Sequence, residues 1–134
     1  MFSEYLDRHP IGEMMASGFV LPYPSTDDRA AWACIPADDR RQIAEMAKIY
    51  ASQPYPMRRA TDFLAFVRDG SRAADEGPYF LRRRKLCAAA LLCCVDESAG
   101  LDDVIDGVWC ICEESSWGIS AHNVNPITGA PAAR

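Results

Sequence analysis

From Ala37 onward, apolar residues recur every three or four positions, which is the spacing of one face of an α-helix. The stripe of the first such segment consists of Ile43, Met46, Ala47 and Tyr50. Asp38 and Asp39 precede it, and acidic residues favour the N-terminal turn of a helix. We expect this helix to end near Ser52, before the proline-rich segment 54–56.

Three more helices follow from the same pattern. The second is expected from about Met57 to Gly70, a residue that commonly ends helices, and the polar segment 71–78 is expected to be a turn. The third runs from about Tyr79 to Asp96. Its second half, residues 86–95, is apolar on all sides, which predicts that protein surrounds it.

The fourth helix is predicted from Leu101 to about Glu114 and is amphipathic. The side expected to face inward carries Leu101, Val104, Ile105, Val108, Trp109 and Cys112. The side expected to face solvent carries Asp102, Asp103, Asp106 and Glu113. Because Gly100 leaves only a short connection, the third and fourth helices should form an antiparallel hairpin.

No alternating apolar pattern is long enough to predict a strand, so the fold class is all-α, built of helical hairpins. Repeated Pro and Gly residues make 1–36 an irregular N-terminal segment. Residues 37–123 form the predicted helical hairpin domain, and 124–134 are expected to be a loop or truncated tail.

Composition and charge narrow the function classes. Hydrophobic residues make up 49% and charged residues 25%, as in ordinary soluble domains. The net charge of −5 argues against a nucleic-acid partner and gives no attraction to anionic membranes. The N-terminus has no apolar core of signal-peptide length and no run is long enough to span a membrane, so a cytoplasmic location is expected.

The six cysteines lack the paired spacing of a zinc site, so no metal and no cofactor are predicted. Free cysteine behaves as a small apolar residue, which predicts reduced thiols buried in the core. No phosphate-binding loop, nucleophile elbow or zinc-protease motif is present, and we predict no catalytic set.

Two segments carry candidate binding chemistry. Residues 113–123 bring carboxylates, hydroxyls, an indole, an imidazole and an amide together, a set that suits a sugar cleft. The same residues could instead cap the end of the helix pair. The basic run 82–85 could bind a polyanion, but pairing with Asp75, Glu76 or acids of a neighbouring helix is the preferred interpretation.

Three segments, 78–86, 101–109 and 112–123, together resemble the N-terminal region of heparinase II/III-like proteins. The shared pattern is an aromatic and arginine-rich helix, then a helix ending in Glu, Ser, Trp and Ala-His-Asn; residues 1–36 carry little of it. The resemblance implies an incomplete α/α toroid from a polysaccharide lyase acting by β-elimination on uronic-acid-containing polymers. The catalytic Asn-His and Tyr positions of such lyases find no match here, so the chain is expected to be inactive alone.

The resemblance also implies that four residues line a substrate-binding wall: Glu114, Trp117, His122 and Asn123. The expected partners are an acidic polysaccharide or oligosaccharide and either a second copy or a missing C-terminal portion of the same protein. Two alternatives remain open: a stand-alone helical module for carbohydrate binding or assembly, and an unrelated four-helix regulator using the basic run.

Overall fold

The computed structural model describes residues 22–122, which contain five α-helices, one 3-10 turn and no β-strand. The helices are α1 Arg29–Ala33, α2 Ala37–Ala51, α3 Ala60–Asp69, α4 Ala73–Val95 and α5 Asp102–Cys112, followed by the 3-10 turn Ser120–His122. The prediction of an all-α fold is therefore confirmed for this part of the chain. None of these helices combines the length and apolarity that crossing a membrane would require.

Helix α1 lies within the segment expected to be irregular, and its five residues are too few for periodicity to reveal. The Asp28 side chain accepts a hydrogen bond from the Ala31 amide and so caps its N-terminus. Arg29 donates to the Cys93 and Cys94 carbonyls near the end of α4. These contacts satisfy carbonyls that the end of a helix leaves without partners.

Helices α2 and α3 agree closely with the sequence pattern. Helix α2 ends one residue before Ser52, with Asp38 and Asp39 in its first turn as expected. Helix α3 begins three residues later than expected, because residues 57–59 lie outside the helix and Arg59 is extended. Gly70 follows α3 with φ 76°, the left-handed conformation that only glycine adopts without strain.

Helix α4 begins at Ala73, six residues earlier than predicted, so the turn expected over 71–78 is wrong. Pro78 lies inside the helix near its start, where it removes one main-chain hydrogen bond and leaves the following turns intact. Asp75 and Glu76 stand in the first turn and favour the positive end of the helix dipole. Tertiary contacts of Asp75, described below, also hold this turn in place.

Helix α4 is the centre of the fold and packs against α1, α2, α3 and α5. Within its apolar half Ala88 is buried, but Cys87 and Leu91 are exposed, so the prediction that protein surrounds this half is confirmed only in part and one side is open. Along the α4–α5 pair, Lys85 meets Asp103, Leu86 meets Gly107 and Arg82 meets Cys110. Asp103 near the start of α5 meets Lys85, whereas Cys110 near its end meets the earlier residue Arg82, so the predicted antiparallel hairpin is also confirmed.

Helix α5 turns a different side toward α4 than the apolar pattern predicted. Gly107 is buried, and a Cβ built there would lie 3.0 Å from Leu86 Cδ1 and 2.7 Å from Tyr55 Cζ. Glycine thus permits a close approach that a larger residue would block. Asp103, expected to face solvent, is half-buried and pairs with Lys85.

The apolar face expected to point inward instead remains largely exposed. The exposed fractions are 59% for Leu101, 58% for Ile105, 49% for Val108 and 67% for Trp109, and Cys112 is also exposed. Of the six predicted inward residues only Val104 is half-buried. The side of α5 that bears Asp103, Gly107 and the Cys110 carbonyl therefore faces α4, and the apolar stripe faces away from it.

The prediction that the cysteines are buried in the core is wrong. All six thiols are free; Cys34, Cys87 and Cys112 are exposed, and the other three are half-buried. The reason is that the buried positions of α4 and α5 are Gly107, Ala88 and the charged residues Asp75, Arg82 and Lys85, so no cysteine occupies a fully buried position on these helices. Burial raises the pKa of the Cys94 and Cys110 thiols, which keeps these two protonated.

Candidate functional site

Arg58 is the hub of a buried ionic cluster at the end of the α4–α5 hairpin. Its side chain, only 7% exposed, projects from the segment just before α3. The guanidinium pairs in a bidentate manner with Asp75, through distances of 2.7 Å and 3.1 Å. It also donates to the carbonyls of Ser116 at 2.5 Å and Gly118 at 2.8 Å. The rings of Phe63 and Tyr79 lie beside it.

Asp75 anchors the start of α4 to the 3-10 turn at the other end of the described chain. It is fully buried, and its second oxygen accepts a hydrogen bond from the Ser120 amide at 2.8 Å. Burial alone would raise the pKa of this carboxyl, but the Arg58 and Ser120 hydrogen bonds outweigh it and hold the pKa below its ordinary value. Asp75 is therefore ionised at neutral pH and acts as a fixed anion between two segments.

Glu114 is the second buried carboxylate, with a side chain only 1% exposed. Arg83 donates to both of its oxygens, at 3.2 Å and 2.8 Å, and Arg82 donates to one at 3.2 Å. Arg58 lies 3.4 Å away. Burial raises the pKa of Glu114, but the arginines outweigh it and the net pKa is lowered. The carboxylate is thus enclosed by cations beneath the surface.

The basic run is mostly consumed by these internal contacts. Arg82 and Arg83 pair with Glu114, Lys85 pairs with Asp103 at 3.1 Å, and the Lys85 ammonium also donates to the Gln53 carbonyl. The sequence favoured Asp75, Glu76 or acids of a neighbouring helix as partners. Asp75 and Glu76 instead pair with Arg58 and Arg72, and the partners of the run are Asp103 on α5 and Glu114 just after it. Arg84 is the exception, since it is exposed and contacts the Phe80 ring.

A cavity of about 160 Å³ lies between α2, α4 and the start of α5. Its walls are mainly alanine, with Tyr50 and Leu92, and its polar end is the Lys85–Asp103 pair. Because these two charges already satisfy each other, the cavity offers a ligand little specific recognition. It is therefore a less favourable candidate site than the loop that follows α5.

The loop 116–118 is held by its main chain. Arg58 binds the carbonyls on either side of Trp117, and the Tyr79 hydroxyl donates to the Trp117 carbonyl at 3.1 Å. The Trp117 side chain is nevertheless 65% exposed. The cluster below therefore fixes the backbone and presents the indole to solvent.

The four predicted binding residues do not lie in one environment. Glu114 is buried under arginines, Trp117 is exposed on the loop, and His122 is exposed at the end of the 3-10 turn. Asn123 lies outside the described residues. The structure thus links Glu114 to the Trp117 loop through Arg58, and within residues 22–122 no hydrogen bond or ion pair joins either of them to the His122 side chain.

Sequence reasoning missed Arg58 and Tyr79 as parts of this platform; it named Asp75 only as a partner of the basic run 82–85, and Ser120 only within the segment 113–123. Each lies far along the chain from its partner, as Arg58 does from Ser116, so no local spacing announces the contact. Two arginines follow Pro56 in the sequence, and nothing in the local pattern distinguishes the buried Arg58 from the exposed Arg59.

The arrangement suits binding better than proton transfer. Both buried carboxylates have lowered pKa values and accept hydrogen bonds from cations or amides, which disfavours a role as general base near neutral pH. Within residues 22–122 no cluster of three or more metal-ligating side chains occurs. Comparison with protein-family models gave no match, and no curated protein matches the chain.

Proposed function

We propose that this chain is a non-catalytic helical part of a heparinase II/III-like polysaccharide lyase, an incomplete α/α toroid that binds uronic-acid-containing chains. The sequence resemblance over 78–123 motivates the family. The observation that supports a binding role is the exposed Trp117 indole on a loop whose backbone is pinned by Arg58 and Tyr79.

A fixed and exposed indole is suited to a sugar ring. The C–H faces of a sugar pack on an aromatic face, and a backbone that is already ordered lowers the entropy lost on binding. Arg58, Arg82 and Arg83 face two carboxylates, Asp75 and Glu114, so the cluster beneath the loop has one positive charge in excess. That excess favours an anionic sugar over a neutral one.

The test compares Trp117→Ala with Trp109→Ala, a change of equal size at another exposed tryptophan. Binding of uronic-acid oligosaccharides is measured by isothermal titration calorimetry at low protein concentration, and melting temperature by circular dichroism. Trp117→Ala should weaken binding by about tenfold, the loss of one good aromatic contact, with little change in melting temperature. Trp109→Ala should leave binding intact.

Two results would contradict this function. One is an unmodified chain that binds no uronic-acid oligosaccharide; the other is Trp117→Ala that lowers the melting temperature while leaving affinity unchanged. We also expect the chain alone to release no unsaturated uronic product from heparan or alginate, measured by ultraviolet absorbance. Turnover in a pure preparation would show that the non-catalytic assignment is wrong. The cytoplasmic location stays a prediction.

A second candidate is a stand-alone assembly module without carbohydrate binding. The observation that favours it is the exposed apolar face of α5, from Leu101 to Cys112. Soluble proteins rarely leave a continuous face of this kind uncovered. The two candidates separate on the calorimetry above, since an assembly module would bind no oligosaccharide.

A further inference from the structure

Helix α5 carries an exposed apolar surface, the α5 stripe, made of Leu101, Ile105, Val108, Trp109 and Cys112. At 1.5 Å per residue it is about 16 Å long. Three exposed acids flank one edge: Asp102, Asp106 and Glu113. None of the three forms an ion pair with another residue in the range 22–122. Among the described residues, the stripe is thus a long apolar surface whose acidic edge has no ion-pair partner.

Helix α4 carries a second exposed surface, the α4 stripe, made of Phe80, Arg84, Cys87 and Leu91. It spans the same number of residues as the α5 stripe and is therefore also about 16 Å long. Arg84 stands in the middle of the stripe, and its guanidinium carbon Cζ lies 5.9 Å from the centre of the Phe80 ring. No acid in the described part of the chain pairs with Arg84. The two stripes thus match in length and are opposite in charge.

The two stripes lie on opposite sides of the α4–α5 hairpin. On α5, the residues that meet α4, Asp103, Gly107 and Cys110, are about half a turn from the stripe at 100° per residue. On α4, Arg82 and Leu86 meet α5 and are likewise about half a turn from the α4 stripe. One copy therefore presents its acidic stripe in one direction and its basic stripe in the other.

We propose that the α5 stripe of one copy binds the α4 stripe of a second copy, in a head-to-tail assembly. Pairing α5 with α5 in an antiparallel manner would place the two acidic edges together, which like charges disfavour. Pairing α5 with α4 buries two apolar surfaces and brings Arg84 against the acidic edge. Because the stripes face opposite ways, each copy can bind a neighbour on both sides, and the contact is heterologous and open-ended. This inference does not depend on the polysaccharide function.

The test uses one variant for each stripe and mixes them. Val108→Glu adds a charge to the α5 stripe, and Leu91→Glu adds a charge to the α4 stripe. Ile49→Glu on α2 is the matched control, since Ile49 is 64% exposed and belongs to neither stripe. Sedimentation velocity is run on the full chain over a wide concentration range with reductant, and circular dichroism checks that each variant is folded.

The unmodified chain and Ile49→Glu should show a sedimentation coefficient that rises with concentration past that of a dimer. Val108→Glu and Leu91→Glu should each sediment as a monomer. Their equimolar mixture should form dimers and nothing larger, because only one intact stripe of each kind remains. Raised salt should shift the unmodified chain toward monomer, since the contact includes exposed charges.

Alkylation of Cys112 gives an independent readout. The thiol is exposed in a single copy, so its reaction should slow as the unmodified chain is concentrated and should stay fast in Val108→Glu. The proposal is overturned if the unmodified chain sediments as a monomer at every concentration. Fast alkylation of Cys112 would then show that the α5 stripe is uncovered, and slow alkylation would show that the same chain covers it. It is also overturned by variants that still assemble, by a mixture that stays monomeric, or by an equal loss in Ile49→Glu.

Discussion

Replacing Glu114 with Gln should remove the anion that holds three arginines below the surface. The side chains of Glu114, Arg58 and Arg82 are 1%, 7% and 10% exposed, so water cannot easily replace the lost charge. Breaking a buried ion pair from one side costs about 3–5 kcal/mol. Arg83 is 25% exposed and can recover part of its hydration, which places the expected loss near the lower end, at about 3 kcal/mol.

The assay is urea unfolding followed by helical circular dichroism. A loss of about 3 kcal/mol is a large share of the 5–15 kcal/mol typical of a domain, and corresponds to about 10 °C in melting temperature at this chain length. Glu113→Gln is the matched control, because Glu113 is adjacent and exposed. It should change stability by less than about 0.5 kcal/mol. If the free energy of unfolding of Glu114→Gln lies within about 1 kcal/mol of that of the unmodified chain, the buried-charge argument is refuted.

The pH dependence of stability provides a second test of the Glu114 prediction. The pKa of Glu114 is lowered below its ordinary value of 4.5, with burial opposed and outweighed by Arg83 and Arg82. Such a group stabilises the fold above its unfolded pKa, and this contribution is lost as the pH falls through the folded pKa. The stability gap between the unmodified chain and Glu114→Gln should therefore be full near neutral pH and shrink below pH 4.5. A gap that persists unchanged into acid would mean that the carboxylate charge is not its cause.

Three further changes probe the platform and the helix contact. Arg58→Lys should destabilise the fold by about 2–3 kcal/mol and increase amide hydrogen exchange over 116–120, because an ammonium cannot reproduce the hydrogen bonds of the planar guanidinium. Unchanged exchange would show that other contacts order the loop. Gly107→Ala should lower the free energy of unfolding by about 1–3 kcal/mol in thermal unfolding, since its Cβ would collide with Tyr55 and Leu86. Tyr55→Phe should reduce that penalty in a double-mutant cycle, and strictly additive effects of the two substitutions would contradict the contact. Tyr55 itself should keep its proton to an unusually high pH, because burial and then Asp103 raise its pKa to about 12. Ultraviolet titrations of the unmodified chain and of Tyr55→Phe should differ by one phenol that titrates late. A difference between the two titration curves centred near pH 10 would disprove the prediction.

Four of the five helices followed from local patterns, although α4 begins six residues earlier than its pattern indicated and α1 was not predicted. Apolar spacing and the acids at 38 and 39 indicated α2, and Gly70 marked the end of α3 because its left-handed φ suits glycine alone. The short connection at Gly100 was enough to predict the antiparallel α4–α5 hairpin. These features depend on neighbours within a few residues, and a linear pattern records such neighbours directly.

The orientation of α5 and the Trp117 platform depended on tertiary structure. Apolar spacing predicted that Val108 and Trp109 would be buried, yet the side bearing Gly107 meets α4, where Tyr55, Arg82 and Lys85 find their partners. The sequence placed Trp117 among candidate binding residues, but only the fold brought Arg58 to its loop from nearly sixty positions away. The physical reason is that ion pairs and close backbone approaches join segments far apart in the chain, and the periodicity within one helix does not record such partners.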